Sequence, residues 1–359
     1  MLTLLTRRDD LTGTHWAPHG APGPDLVHGQ VLLRVEHLAL TSNVFTYGAT
    51  GDTLGYWDYW PTGEPGWGCL PAWGTARVLA GDVPDVPVGS RLAGLLPLAS
   101  HAVLQPERVT PTSLRDGTPH RLSLPAAYQH YARLPADPSD DGLRDEQLAS
   151  LLRPLVVLAA MLFDAVLDFE PAPATVVLTS ASSRTARAVA RELAGGPRSI
   201  GLTSTERVEE VTATGLYDDV LAYDDLDGLA TVADHGPAVV VDLAGRADLR
   251  AQARAALRGR TVRTMTVGAT HGDGGGLRPR HGEEAFLAPE RMRLRAASWG
   301  PPGLAAHLDA AWQRQLPAAR AQVQLVPAKT RADVEAAYAE VLAGRCALDH
   351  GHFLTLPTH

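Results

Sequence analysis

TVVLTS at Thr175–Ser180, running straight into Ala181-Ser182-Ser183-Arg184-Thr185-Ala186, is the stretch that decides the fold. A short run that is apolar throughout, without alternation, reads as a strand covered on both faces. The small polar turn after it opens a helix predicted over about Arg184–Leu193, which Gly195 and Gly196 close. The pattern repeats downstream. SIGLTS (Ser199–Ser204) precedes a predicted helix over Glu206–Thr214, and DVLAYD (Asp219–Asp224), AVVVDLAG (Ala238–Gly245) and TVRTMTVGA (Thr261–Ala269) continue it. Apolar strands alternating with helices of about 10–15 residues define an α/β doubly wound parallel sheet. HGDGGG (His271–Gly276) reads as a flexible loop beyond the last of these strands. Upstream, Leu151–Leu167 is a long apolar helix ending near Pro171 and Pro173. Arg153, Pro154 and Asp164 interrupt it, and it falls short of the roughly 20 apolar residues of a bilayer span, so it reads as a buried helix.

The flanks read differently. QVLLRVEHLAL (Gln30–Leu40), GTARVLA (Gly74–Ala80) and Ser90–Leu98 are strands separated by Pro- and Gly-rich turns, the pattern of a β-rich, barrel-like domain. Residues 106–145 read as a long irregular connection with one helical turn. The C-terminal segment from Leu325 reads strand, helix, strand and returns to the first domain. The expected division is therefore 1–150 with 300–359, around an inserted 151–299.

Composition narrows the chemistry. An apolar fraction of 45% with 20% charged residues is that of a packed globular chain. Two cysteines, Cys69 and Cys346, cannot build a disulfide framework or a Cys-rich zinc lobe. A net charge of −8 with no basic stripe argues against nucleic acid, and neither a membrane span nor a signal peptide is read, so the cytoplasm is the expected compartment. Lys329 is the sole lysine and sits just before a helix start, a poor setting for Schiff-base work. Fourteen histidines come without an HExxH or CxxC pattern, so no metal is expected; a GxSxG elbow is absent too.

Three places carry candidate function. The turn Ser180–Thr185 lies where a doubly wound sheet meets a pyrophosphate, and Ser180, Ser182, Ser183, Arg184 and Thr185 can donate to it. It has no glycine, and a polar N-cap cluster needing no ligand reads equally well. The next strand end, Thr203-Ser204-Thr205-Glu206-Arg207, lacks the carboxylate that usually holds a ribose 2′-hydroxyl; Thr203, Ser204 and Arg207 suit a 2′-phosphate instead. A helix N-terminus with Glu206, Glu209 and Glu210 along its dipole is the competing reading. Gly268, at the end of the TVRTMTVGA strand, joins the cofactor set. Third, Asp52–Trp73 holds four of seven tryptophans, Trp57, Trp60, Trp67 and Trp73, interleaved with Tyr56 and Tyr59. That density suits a cover for an apolar ligand, or equally a core or subunit interface.

With VLLRVEHLAL, VGSRLAGLLP, the strand–helix core and ADVEAAYAEVLAGR in this order, the chain resembles the zinc-free quinone oxidoreductase and enoyl reductase branch of the medium-chain dehydrogenase/reductases. SASSRTA with ALTSNVFTYG resembles, within it, a little-characterised family of unknown function. The resemblance implies a GroES-like catalytic domain with an inserted Rossmann domain, an NADPH cofactor whose nicotinamide lies in the interdomain cleft, a small apolar or carbonyl substrate, and a homodimer. Where zinc relatives carry a ligand cysteine and a relay hydroxyl, this chain has Thr41 and Asn43, and Pro71-Ala72-Trp73-Gly74 replaces a Gly-His-Glu. The implied activity is zinc-independent reduction of an α,β-unsaturated carbonyl, with Thr41, Asn43 and Tyr47 as catalytic residues and Tyr56 as a further candidate. The missing glycine turn, AAGGVG-like in relatives, points to the rival: a redox-inactive scaffold that binds a ligand or performs cofactor-free lyase chemistry.

Overall fold

A computed structural model describes residues 1–18, 26–233, 235–257, 259–267 and 282–358; Gly268 and the HGDGGG loop lie outside them. The chain divides into two compact units, Met1–Leu151 with Arg320–His359, and Leu152–Ala319.

The first unit begins with β1 (Leu2–Arg7), β2 (Thr14–Pro18), β3 (Val31–Leu40), α1 (Ser42–Ala49), α2 (Gly51–Leu54), β4 (Trp67–Cys69), β5 (Pro71–Gly81), β6 (Arg91–Pro97) and β7 (His101–Leu104). β8 (Pro106–Glu107), β9 (Ser113–Asp116) and β10 (His130–Leu134) follow, where sequence predicts an irregular connection. Strands this short leave no periodicity to read. The helix α3 (Asp140–Leu167) then begins earlier than its apolar part suggests. Among the described helices it alone is long and apolar enough to cross a membrane. Met161, Leu162 and Val166 nevertheless pack in the core of the second unit, where Arg291 and Arg295 hold Asp164.

The second unit contains β11 (Thr175–Leu178), α4 (Arg184–Leu193), β12 (Arg198–Thr203), α5 (Val208–Thr212), β13 (Asp219–Ala222), α6 (Leu229–Val232), β14 (Ala238–Asp242), α7 (Ala247–Ala256), β15 (Thr261–Val267) and β16 (Glu284–Phe286). All six strands are parallel, in the order β13-β12-β11-β14-β15-β16. Order reverses at β11, so ligand chemistry belongs at the carboxyl ends of β11, β12 and β14. Val176 and Leu178 pack on one face of the sheet and Val177 on the other, all fully buried, as the unbroken apolar run demands.

The remaining elements are α8 (Ala288–Gln322), β17 (Gln324–Ala328), α9 (Arg331–Leu342) and β18 (His350–Leu354). The boundary expected at residue 299 meets a real break, since Gly300 has φ 73° and Pro301 and Pro302 follow it. The helix resumes, however, and the second unit continues to Ala319. β18 lies between β17, which it pairs in parallel, and β3, which it pairs antiparallel, so the end of the chain completes the first unit's large sheet.

Candidate functional site

In the first unit the local sequence builds a cluster of hydroxyls. Thr41 is extended (φ −133°, ψ 164°) and starts α1, with its carbonyl accepting from Val44 N at 3.0 Å. Two turns of helix then set Asn43 and Tyr47, four residues apart, on one face. Asn43 Nδ2 donates to Tyr47 Oη at 2.7 Å, and Trp73 Nε1 of β5 donates to the same oxygen at 3.2 Å. Both donors lack acceptor capacity at those atoms, so they occupy the lone pairs of the phenol and leave its proton to be given elsewhere. Tyr128 completes the circuit of hydroxyls: its oxygen lies 3.2 Å from that of Tyr56, and either can donate to the other. The rings pack as a box: Tyr47 and Tyr56 centroids are 4.6 Å apart, and Tyr128 stands edge-on to Tyr47, Tyr56 and Tyr59 at 5.8–6.0 Å.

Burial sorts the roles. Tyr47 is 4% exposed, whereas Tyr56, Tyr128 and Trp73 are half-buried. Burial, and next the neighbouring Tyr128, push the Tyr47 phenol well above its usual range; Tyr128 is raised by burial and partly lowered by Tyr56 and Tyr47. These phenols are therefore protonated at neutral pH. Tyr47 thus lies in the interior of the cluster with Asn43 on its oxygen, while Tyr56 and Tyr128 are its more exposed phenols. No hydrogen bond ties the Thr41 hydroxyl to the circuit among the described residues.

Tyr128 was not foreseen, because its segment carries no periodicity. Specific polar contacts fix it. Gln129, buried beside it, donates through Nε2 to the carbonyls of Arg121 (2.6 Å) and Leu124 (2.8 Å) and accepts from Arg115 Nε at 2.8 Å. The buried Arg121 pairs with Asp116, donates to the Tyr59 carbonyl at 2.7 Å and stacks 3.6 Å over the ring of Trp60. The signal available in sequence was the charged Arg121 and Asp116 flanking a Pro-rich stretch, which announces a buried pair only once their neighbours are known. The tryptophan-rich stretch divides. Trp57 is core, wedged where a Cβ on Gly51 or Gly68 would lie 2.2–2.3 Å from its ring, and Trp60 is buried beneath Arg121. Trp73 faces the tyrosines.

In the second unit, Ser180 takes φ 56°, the left-handed region that glycine enters freely. Its amide donates to Tyr223 Oη at 3.1 Å, and Ser183 N donates to its carbonyl at 2.8 Å, closing the turn. Leu202 O accepts from Ala181 N at 2.9 Å, and Tyr217 Oη donates to Ala181 O at 2.8 Å. Gly201 permits this approach, since a Cβ there would meet that of Ala181 at 2.8 Å. Ser183 caps α4 by accepting from Ala186 N, so its hydroxyl serves the helix, as the N-cap reading held. Ser182, Arg184 and Thr185 are half-buried around the helix N-terminus. Across the strand ends, Thr179 Oγ1 donates to Asp242 at 2.7 Å and accepts the amides of Leu243 and Ala244. Asp242 also holds the amides of Ala244 and Gly245 and the buried Arg250 at 2.6 Å.

The end of β12 departs from expectation in two respects. Thr203 is 1% exposed, so its hydroxyl is turned into the protein; it is the last residue of a strand covered on both faces. Arg207 pairs with Glu210 at 3.2 Å, and Thr205 Oγ1 donates to Asp224 at 3.0 Å. Ser204 remains half-buried at the strand end. Beside Tyr223 a groove of about 480 Å³ runs past Asp224, Asp227, Ala230, Gln252 and Ala255; its two aspartates make it a poor place for phosphate.

Comparison with solved structures places the fold. CurA of Vibrio vulnificus, in a structure described as a complex with NADPH, superposes with a TM-score of 0.66 at 14% identity over 99% of both chains. Mycobacterial Rv1454c, also described with NADPH, gives 0.58 at 15% over 99% of both. A putative NADPH:quinone reductase of Mesorhizobium loti gives 0.58 at 20%, over 99% of this chain and 98% of that one. The fold is the one these structures share, a GroES-like unit and a Rossmann unit. No curated protein matches the sequence. Residues 38–347 match a family described as "Protein of unknown function (DUF2855)", and the chain belongs to that family.

Proposed function

We propose that the protein is an NADPH-dependent, zinc-independent reductase of an α,β-unsaturated carbonyl compound of the enoyl or quinone type. The observation that carries this reading is the cluster of phenols, Tyr47, Tyr56 and Tyr128, with Asn43 and Trp73 donating to Tyr47 and the Tyr56 and Tyr128 hydroxyls 3.2 Å apart. The bound cofactor would supply hydride. Its phosphates would suit the α4 N-terminus, where first-turn amides lie in a turn of small residues flanked by the half-buried Ser182 and Thr185. Ser204 and Arg207 are the donors for a 2′-phosphate. The exposed Arg207–Glu210 pair is worth about 0–1 kcal/mol, so a phosphate can compete for the guanidinium.

On the substrate side, Tyr128 would hold the carbonyl oxygen as negative charge develops on it and then pass its proton, with the Tyr56 hydroxyl 3.2 Å away donating to the phenolate left behind. The half-buried rings around them exclude water and bind an apolar, uncharged acceptor. Thiolate, imidazole and carboxylate ligands are missing from this donor set among the described residues, which supports zinc-independent chemistry.

Titration of the protein with NADPH and NADH is the first test, with NADPH expected to bind more tightly and Arg207→Ala to narrow the gap. Turnover against a panel of 2-enones and quinones follows. Tyr128→Phe should lower kcat by roughly 10²–10³-fold at unchanged NADPH affinity; full activity in that variant refutes the assignment. One observation favours a second reading, a ligand-binding or lyase-type scaffold without cofactor: the Ser180 amide and Ser183 hydroxyl already have protein partners, Tyr223 Oη and the Ala186 amide. Failure of both nucleotides to bind would select it.

A further inference from the structure

We propose that Glu340, Cys346 and His352 form a binding site for one zinc-class divalent cation in the first unit, independent of the reading above. Three consecutive pieces of chain bring them together. α9 ends at Gly344, whose φ of 66° reverses the backbone, with Gly344 N donating to Val341 O at 3.0 Å and Arg345 N to Glu340 O at 3.1 Å. That reversal returns Cys346 to the last turn of the helix. A second turn, His350 N to Ala347 O at 3.2 Å, feeds β18, where His352 is fixed in register between Leu40 of β3 and Val326 of β17. One ligand atom from each side chain lies within 4.8 Å of the other two, and His352 Nε2 is 3.5 Å from Glu340 Oε2.

Zinc bonds of about 2.0–2.3 Å imply ligand-to-ligand separations of roughly 3.3–3.7 Å in a tetrahedron, so small side-chain movements close the set. A histidine–glutamate pair would account for two members. The sulfur beside them is what selects a cation with thiolate affinity over magnesium or calcium. Binding displaces the thiol proton, and one thiolate with one carboxylate neutralises a divalent charge. Three protein ligands leave a fourth position for water. Such an ion would tie the C-terminal strand to α9, and since neither element carries the tyrosine circuit it should leave cofactor binding untouched.

The test is titration of the full-length, tag-free, metal-stripped protein with Co(II) and then Zn(II). One Co(II) per chain should bind, with a sulfur-to-cobalt charge-transfer band and visible bands of tetrahedral intensity, both abolished by Zn(II). His352 is a core residue whose replacement risks the fold, so half-buried positions carry the test. Cys346→Ser should remove the charge-transfer band and weaken Zn(II) by more than about 100-fold, beyond the roughly 10–100-fold cost of losing an outer hydrogen-bond partner. Glu340→Gln should keep the band and weaken Zn(II). Absence of a cobalt band in the native protein, or equal Zn(II) affinity in Cys346→Ser, overturns the proposal.

Discussion

Replacing Tyr47 by Phe removes one oxygen and nothing else, and the structure makes that oxygen the junction of the circuit. Two N–H donors, from Asn43 at 2.7 Å and Trp73 at 3.2 Å, lose their acceptor. A fully buried donor left without a partner costs about 1–3 kcal/mol. Asn43 and Trp73 are half-buried and water reaches them in part, so the low end applies, about 2 kcal/mol for the two together. At about 2–4 °C per kcal/mol, Tm should fall by roughly 4–8 °C. The phenyl ring keeps its contacts with Tyr56, so no cavity adds to this. Activity should fall less than in Tyr128→Phe, by about 10-fold, because Tyr128 keeps its proton and its ring contact with residue 47 and loses only the nearby hydroxyl. Thermal melting and steady-state NADPH oxidation on the same preparation measure both quantities. An unchanged Tm would mean the hydrogen bonds to Tyr47 do not exist as described. A lowered Tm with unchanged kcat would make Tyr47 a core residue only.

Three further outcomes follow from other parts of the structure. Ser180→Gly should be neutral or raise stability by up to about 1 kcal/mol, whereas Ser180→Val at the same left-handed φ should cost about 1–3 kcal/mol, read by denaturant melts. Arg121→Ala strands the buried Asp116 and should cost about 3–5 kcal/mol and lower kcat by loosening Tyr128, with Arg121→Lys recovering part of the stability. Burial holds the His37 imidazole down at about 4, and its partners are hydroxyls, Thr75 Oγ1 at 3.1 Å and Ser150 Oγ at 3.4 Å. Because the unfolded chain takes up that proton first, its contribution to stability is present above pH 6.5 and is lost as pH falls towards 4. The loss is at most about 3 kcal/mol, and His37→Gln should flatten it in pH-dependent melts.

Sequence made the parallel sheet legible because an unbroken apolar run such as Thr175–Leu178 admits few other readings once helices flank it. The helix Arg184–Leu193 was read to the residue, since its N-cap serine and closing glycines are local signals. Asn43 and Tyr47 are named only through the resemblance, and the helix that sets them on one face, Ser42–Ala49, leaves no signal among its small and β-branched residues. Tyr128 was not foreseen, because what places it is a set of side-chain-to-carbonyl bonds from Arg121 and Gln129, and such bonds have no sequence period. Thr203 was misjudged for a related reason: a strand-end hydroxyl can face the solvent or the core, and only the register of β12 decides which. Glu340, Cys346 and His352 have a spacing that matches no metal motif, so His352 reads in sequence as one more scattered histidine, and a strand and a helix end must pack before the three meet.

The insertion of β18 beside β3 has a consequence for synthesis of the chain. Leu40 and His352 are partners across about 310 residues, which a ribosome adds in roughly 15–60 s at 5–20 residues per second. Throughout that time β3 lacks the neighbour that covers one end of it, while the second unit is already complete once Ala319 has emerged. The first unit is thus begun first and finished last. A nascent chain halted between α8 and β18 would have its second unit folded while the first unit's large sheet keeps an open edge, the kind of surface that chaperones bind and that aggregates when they do not.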